Sequence, residues 1–199
     1  MKEKGLIHIY EGEGKGKTTA AIGLAVRFAG AGGNVLFTQF LKKNTSGELA
    51  VLKKAEKIQL LLCEKNFGFT FQMTPEEKQE AAACYSGHLQ KVLAAAGQMA
   101  ERSRTGEMEH REGEPKTDHR TAPGILLVLD EILAVYNQNM INRQELLDFL
   151  KEKPENLELV MTGRNPAPEL LEFADYVTVM EKKKHPYDRK IGARRGIEW

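Results

Sequence analysis

The chain has 199 residues, a hydrophobic content of 41% and a formal net charge of +1 at pH 7. This length and composition predict one globular domain with room for an insertion. The near-neutral charge disfavours a nucleic acid or an anionic membrane as partner. The two cysteines, Cys63 and Cys84, form no C-x-x-C pair and indicate no disulfide framework. With no signal-peptide pattern and no membrane-length apolar run, we expect a soluble cytoplasmic protein.

Strand-like apolar segments alternate with helix-like segments along the chain. The predicted strands are residues 6–10, 35–40, 58–63, 125–130, 157–162 and 176–180. The predicted helices lie near residues 18–30, 45–56, 75–102, 143–152 and 167–174. Several strands are almost continuously apolar, which is typical of strands buried on both faces. The alternation therefore predicts an α/β fold, a mostly parallel sheet with helices on both faces.

The most informative motif is the glycine-rich stretch at residues 12–19, which lies between the first predicted strand and the first predicted helix. This is the context of a phosphate-binding loop, where backbone N–H groups and a helix N-terminus hold phosphate oxygens. Lys17 would reach the outer phosphates and the Thr18 hydroxyl would bind Mg²⁺. The spacing is unusual, since Glu11 stands where the first glycine is common. The alternative is an ordinary glycine-rich turn.

An aromatic segment, Phe67-Gly68-Phe69-Thr70-Phe71, follows the third predicted strand, and a long helix follows it in turn. The aromatic rings either fill the core or present a face to a large flat ligand. The long helix should begin at Thr74, with Glu77 completing a capping box.

Residues 103–124 differ in composition from the rest of the chain. Met108 is the one large apolar residue among them, so the segment cannot bury enough surface to fold alone. It predicts a flexible surface insertion. His110 and His119 match no strong metal-ligand spacing.

Two carboxylates, Asp130 and Glu131, end the fourth predicted strand. An apolar strand that ends in an acid near a phosphate-binding loop is the Walker B arrangement. Asp130 would bind the metal directly or through water. Glu131 would act as a base, orient a ligand or accept a bond from a backbone N–H. Arg164, after the fifth strand, would lie at the same edge of a parallel sheet and either contact phosphate or form a surface ion pair.

The last segment, residues 182–199, mixes basic residues with proline, glycine and aromatic residues. This pattern predicts a loop that folds back over a site rather than a plain solvated face.

In these motifs the chain resembles the P-loop type of ATP:corrinoid adenosyltransferases. The resemblance rests on residues 12–21, 35–42, 68–70, 129–132, 162–165, 184–186 and 193–198. It implies a P-loop NTPase-like (RecA-like) fold in a single domain over residues 1–199, with residues 103–124 as an insertion. The family's own glycine spacing matches that of residues 12–16.

The resemblance implies a reaction in which the 5′-deoxyadenosyl group of ATP passes to the Co(I) of a reduced corrinoid and triphosphate leaves, in adenosylcobalamin synthesis or salvage. It assigns catalysis to Lys17, Thr18 and Glu131, and Mg²⁺ (or Mn²⁺) to Thr18 and Asp130. The residues it assigns to ATP are Gly12, Glu13, Gly14, Lys15, Gly16, Lys17, Thr18, Thr19, Arg27 and Arg164. Phe69 and Phe71 would face the corrinoid. A homodimer and a flavodoxin-like or flavin reductant are also implied.

Two other classes of function remain open from the sequence. One is a P-loop NTPase or kinase of another family, acting at the γ-phosphate. The other is a non-catalytic module that binds a nucleotide or carries a corrinoid.

Overall fold

The computed structural model describes residues 4–42, 44–65, 67, 73–106 and 124–198. Six strands form one sheet. They are β1 (Ile7–Glu11), β2 (Asn34–Gln39), β3 (Ile58–Leu60), β4 (Ile125–Asp130), β5 (Leu157–Thr162) and β6 (Tyr176–Val179). Their order across the sheet is β3-β2-β4-β5-β1-β6, and all paired neighbours are parallel. The predicted parallel α/β sheet is confirmed, although β3 ends three residues before its predicted end.

Six α-helices and one 3₁₀-helix surround the sheet in the described part of the chain. They are α1 (Lys17–Gly30), α2 (Gly47–Leu52), α3 (Pro75–Thr105), α4 (Ile132–Asn137), α5 (Arg143–Glu152) and α6 (Pro168–Leu171), with the 3₁₀-helix at Pro186–Arg189. The sequence did not predict α4, because a helix of six residues is too short for the helical period of its apolar side chains to be recognised. Within these ranges no helix combines the length and apolarity needed to cross a membrane.

Alternate side chains of the strands pack against helices on opposite faces of the sheet. In β4, Leu126 and Val128 join the core under α1 and α2. Leu127 and Leu129 join the core under α3, α4, α5 and α6. The prediction of helices on both faces is therefore confirmed. The central strands are buried on both sides, which explains their nearly continuous apolar sequences.

The helix α3 begins as the sequence predicts. The Thr74 hydroxyl accepts a bond from the Glu77 N–H at 3.2 Å, and the Glu77 carboxylate accepts one from the Thr74 N–H at 2.8 Å. The helix ends at Thr105 and is capped by Gly106, which has a left-handed φ of 77°. Residues 107–123, most of the predicted insertion, lie outside the described residues.

All six strands run in one direction, so their carboxyl ends share one edge of the sheet. The chain leaving β1, β2, β4 and β5 at that edge carries the glycine-rich loop, Lys42, Glu131 and Arg164, respectively. Ligands of open parallel sheets bind at this edge. The topology therefore gathers residues that are far apart in sequence.

A buried histidine makes the stability of the fold depend on pH. The Nε2 atom of His88 lies 2.8 Å from the Thr38 hydroxyl, and the side chain belongs to the buried set. Burial, and to a smaller extent Lys91, lowers the pKa of His88 from its ordinary 6.5. On acidification below about 6.5 the unfolded chain binds a proton that the folded chain does not, so stability falls until the folded-state pKa is reached.

We expect His88→Gln to lose less stability than the wild type between pH 7.5 and pH 5.5. The two proteins should differ in the slope of the free energy of unfolding against pH, by up to the limit for one proton, about 1.4 kcal/mol per pH unit. Urea unfolding followed at several pH values measures it. Identical pH profiles for the two proteins would contradict this account.

Candidate active site

Two structural requirements explain the glycine spacing of the loop between β1 and α1: a positive φ at some positions and close packing against neighbouring backbone at another. Gly12 and Gly16 have φ values of 114° and 118°, which side chains rarely tolerate. Gly14 donates its N–H to the Met180 carbonyl at 2.6 Å, and a Cβ on Gly14 would come within 2.5 Å of that same oxygen. The alternating glycines therefore fit a loop that both turns sharply and packs against the chain after β6.

The Lys17 side chain is folded into this loop. It is only 8% exposed, and its Nζ donates to the carbonyls of Gly12 at 2.5 Å and Gly14 at 2.8 Å. Burial lowers the pKa of Lys17, and the nearby Glu131 carboxylate opposes that shift. The ammonium is thus held inside the loop, at the start of α1, where an anion would bind.

A second cluster forms around the carboxylate of Asp130, which is completely buried. Its Oδ1 accepts bonds from the hydroxyls of Thr18 at 2.9 Å and Thr162 at 2.7 Å. Its Oδ2 forms an ion pair with the Lys42 ammonium at 2.5 Å. The Lys42 Nζ also donates to the Thr18 hydroxyl at 2.7 Å. Four elements of the chain meet at this one acid.

Glu131 follows Asp130 in a left-handed conformation, with φ 61°, and lines the cavity described below. Its backbone N–H donates to the Thr162 hydroxyl at 2.9 Å. Burial, and then the neighbouring Asp130, raises the pKa of Glu131, while Lys42, Lys17 and Arg164 act in the opposite direction. The carboxyl group is therefore a half-buried polar group beside three cations.

A cavity of about 700 Å³ opens over the glycine-rich loop. Residues 13–19 form its floor, Gly47, Glu48 and Val51 of the α2 region form one side, and residues 196–198 form another. The lining is completed by Ile22, Lys42, Glu131, Arg164 and His185. The tail thus folds back over the site, as its sequence predicts.

Arg164 forms an ion pair with Glu13 at 2.7 Å, and both side chains are more than half exposed. The pair joins the glycine-rich loop to the chain after β5 and lines the cavity. Of the two alternatives for Arg164, the structure shows the ion pair. Because Arg164 also lines the cavity, contact with phosphate stays a prediction.

The structure brings most of the predicted site residues together. Among the residues assigned to ATP, those lining the cavity are Glu13, Gly14, Lys15, Gly16, Lys17, Thr18, Thr19 and Arg164. Gly12 contacts Lys17 from within the loop. Arg27 is exposed in the last turn of α1, roughly 15 Å along the helix from Lys17, and the cavity lining does not include it.

The predicted corrinoid-side residues Phe69 and Phe71 lie outside the described residues. Phe67, from the same segment, packs its ring edgewise on Tyr85 with the centroids 5.7 Å apart, and it contacts the core beneath α3. For Phe67, packing rather than a free ligand face is what the structure shows.

Sequence reasoning missed two members of the site. Lys42 and Thr162 both contact Asp130. Each follows or ends a strand at the carboxyl edge of the sheet, so their positions offered a signal. Their partner, however, is 88 residues away for Lys42 and 32 for Thr162, and no local pattern specifies such contacts.

Two features of this site define a P-loop nucleotide-binding protein. The first strand of a parallel sheet leads through a glycine-rich loop into a helix that begins with Lys17 and Thr18. A buried aspartate, Asp130, lies beside that helix at the end of another strand. Comparison with known protein families identifies the family within this class. The sequence profile of the family described as "ATP:corrinoid adenosyltransferase BtuR/CobO/CobP" matches residues 3–199. The chain belongs to this family.

Two similar proteins are named corrinoid adenosyltransferases. The chain is 29% identical to the corrinoid adenosyltransferase CobA of Salmonella typhimurium, over 100% of this chain and 88% of that protein. It is 31% identical to a corrinoid adenosyltransferase of Sinorhizobium sp, over 99% of this chain and 81% of that protein. Among solved structures, EssC (ATPases 2 and 3) of Geobacillus thermodenitrificans overlays with a TM-score of 0.49 at 15% identity, over 98% of this chain and 36% of that one.

We expect Gly14→Ala to weaken ATP binding roughly tenfold or more, because the added Cβ would collide with the Met180 carbonyl and displace the loop. Overpacking of this kind costs about 1–3 kcal/mol, and about 1.4 kcal/mol corresponds to a factor of ten. Calorimetric titration with Mg-ATP measures the effect.

The matched control is Gly23→Ala. A Cβ at Gly23, on α1, meets nothing within 4 Å, so this variant should bind ATP normally and gain up to about 1 kcal/mol of stability from helix propensity. Equal ATP affinities for the two variants would show that the Met180 contact does not shape the loop.

Proposed function

We propose that this chain, as one domain, binds ATP in the cavity over residues 13–19 and transfers its 5′-deoxyadenosyl group to the Co(I) of a reduced corrinoid, in the synthesis or salvage of adenosylcobalamin. Membership of the ATP:corrinoid adenosyltransferase family supports the reaction. The observation that carries the assignment of the site is the meeting of Lys17, Thr18 and Asp130 beneath that cavity.

The donor set at Thr18 and Asp130 suits Mg²⁺ or Mn²⁺. A hydroxyl and a carboxylate are the hard oxygen ligands that these cations prefer, and the Thr18 and Asp130 oxygens lie 2.9 Å apart. The Lys42 ammonium, which contacts the Thr18 hydroxyl and the second carboxylate oxygen of Asp130, indicates that this position favours positive charge. A bound divalent cation would supply positive charge against the triphosphate of ATP.

The chemistry requires no protein nucleophile. The electron pair of Co(I) forms a bond to C5′ of ATP, the C5′–O bond breaks, and its electrons leave with the triphosphate. Negative charge therefore grows on the leaving group. The loop N–H groups, the α1 N-terminus and Lys17 would stabilise that charge, with Lys17 exchanging the carbonyls of Gly12 and Gly14 for phosphate oxygens.

The remaining residues would position the substrates. Arg164 would exchange Glu13 for a phosphate oxygen, since its present partner is exposed. Glu131 would orient ligands through the carboxyl group that lines the cavity. Phe69 and Phe71 would contact the corrinoid, by the resemblance of their segment to the family. A flavodoxin-like or flavin donor would supply the electron that makes Co(I), and the cytoplasm, which holds ATP, would be the compartment.

The alternative of reaction at the γ-phosphate predicts different products. Anaerobic incubation with reduced cobalamin and Mg-ATP should give the optical change of Co–C bond formation, with triphosphate detected by phosphorus NMR. ADP and inorganic phosphate formed without any change in the corrinoid spectrum would favour an NTPase or kinase instead.

We expect Lys17→Ala and Thr18→Ala each to lower the rate of adenosyl transfer by roughly 10²-fold or more, because each removes a group that stabilises the leaving triphosphate. The rate of Co–C bond formation from pre-reduced cobalamin measures this. Lys54→Ala, an exposed lysine beyond α2, is the control and should react at the wild-type rate. If both site variants also kept that rate, the loop would not be the catalytic phosphate site.

We also propose that the chain forms a homodimer through β6. This strand ends the sheet order, and its Tyr176, Val177 and Val179 side chains are 51%, 48% and 55% exposed. An apolar edge strand is a template for pairing with another chain. A two-fold axis beside β6 would join it to its own copy, so the surface is self-complementary.

Val177→Asp combined with Val179→Asp should convert the dimer to a monomer, because two-fold symmetry places four carboxylates in the shared edge. Light scattering after size exclusion measures the mass. Val26→Asp, which charges an exposed valine on α1, should remain dimeric. A wild-type protein that is monomeric at micromolar concentration would refute the dimer.

A further inference from the structure

Lys42 occupies an unexpected position for a side chain of a phosphate-binding site. Its Nζ lies 2.5 Å from Asp130 Oδ2 and 2.7 Å from Thr18 Oγ1. These are the two residues whose oxygens are proposed to bind the divalent cation. The lysine ammonium thus sits against both of the metal-ligand residues.

The environment of Asp130 explains why a cation is needed there. The carboxylate is completely buried, and the ion pair that the structure gives it is with Lys42. Its other contacts, from Thr18 and Thr162, are neutral hydroxyls. A buried carboxylate without a charged partner is strongly destabilising, so the Lys42 ammonium balances the charge of this acid.

The same geometry prevents two cations from sharing the place. Magnesium binds oxygen ligands at roughly 2.0–2.1 Å, so a cation of this kind ligated by both Thr18 and Asp130 would crowd the Lys42 nitrogen. Two positive charges at that separation repel each other. Either the ammonium or the metal can contact this pair of oxygens.

The cavity offers space for the Lys42 ammonium once it no longer contacts Asp130 and Thr18. The Lys42 side chain is 27% exposed, against 0% for Asp130, and it lines the nucleotide cavity. Its flexible four-carbon stem lets the ammonium move into that space without opening the core around Asp130.

We propose that Lys42 is a built-in counter-cation that holds the metal position in the nucleotide-free protein and leaves it when metal and nucleotide bind together. Lys42 is a positioning residue in this role, because it sets the order in which charges enter the site. The inference rests on the proposed metal site at Thr18 and Asp130.

The test is Mn²⁺ binding without nucleotide, measured from the electron paramagnetic resonance signal of free Mn²⁺. Lys42→Met keeps a flexible, unbranched side chain of similar length and removes its charge, and it should bind Mn²⁺ at least tenfold more tightly than the wild type. Lys42→Arg, which restores a cation, should reduce that affinity again. Lys54→Met, an exposed lysine outside the cavity, should behave as the wild type.

Thermal melts provide a second readout. The melting temperature of Lys42→Met should fall without metal and rise by several degrees with Mn²⁺, whereas that of the wild type should change little. Should Lys42→Met not fold, Lys42→Gln removes the charge but keeps a hydrogen-bond donor for Asp130, and the same two measurements apply to it.

Unchanged nucleotide-free Mn²⁺ affinity in the folded neutral variants would overturn the proposal, since a purely structural lysine would alter only the melting temperature. Equilibrium dialysis of the wild type against Mn²⁺ and ATP separates this failure from that of the metal site, because it counts protein-bound Mn²⁺, whereas ATP alone also removes the signal of free Mn²⁺. Absence of Mn²⁺ binding even with ATP would overturn both the metal site and the role of Lys42.

Discussion

The buried carboxylate of Asp130 is the constraint on which the site depends. A charge removed from water costs several kcal/mol unless it is paired and hydrogen-bonded. Asp130 meets this requirement with donors from three separate parts of the chain: Thr18 at the start of α1, Lys42 after β2 and Thr162 at the end of β5. Satisfying one acid therefore fixes the relative positions of the glycine-rich loop and two neighbouring strand ends.

The packing of the glycine-rich loop adds a second constraint from the opposite side. Gly14 donates its N–H to Met180, so the loop is held between the acid at the end of β4 and the chain that leaves β6. That chain continues into the tail, whose residues 196–198 line the cavity. The phosphate loop, the acid and the tail are consequently parts of one arrangement at the carboxyl edge of the sheet.

Much of this could be predicted from sequence, and the exceptions have physical causes. The strands were predictable because strands buried on both faces must be almost continuously apolar. The loop and Asp130 were predictable because phosphate chemistry requires particular residue types in a fixed local context. Helix α4 was not predictable, since six residues are too short a window in which to recognise a helical period. The contacts of Lys42 join residues far apart in the chain, and only the topology of the sheet brings them together.

The glycine spacing of the loop is also explained in part by a contact between distant parts of the chain. From sequence, the absence of a glycine at Glu11 is only a departure from the common loop. The reason that Gly14 must be a glycine is a carbonyl at Met180, on a different strand end. Arg27 illustrates the converse, because the resemblance to the family assigns it to the nucleotide, while in the structure it is exposed in the last turn of α1.

Lys17, Lys42 and Arg164 line the cavity, and each has a partner within the protein. These partners differ in how readily they can be exchanged. Lys17 contacts the carbonyls of Gly12 and Gly14, which are neutral. Arg164 pairs with an exposed Glu13, and exposed ion pairs contribute roughly 0–1 kcal/mol.

Lys42 differs because its partner, Asp130, is fully buried and would be left without a counter-charge. A triphosphate alone can therefore recruit Lys17 and Arg164 without leaving a buried charge unpaired, but it cannot recruit Lys42 unless another cation takes over Asp130. On the proposed role of Lys42, this asymmetry couples the entry of the metal to the entry of the nucleotide, and it does so through electrostatics alone, without a change in the fold.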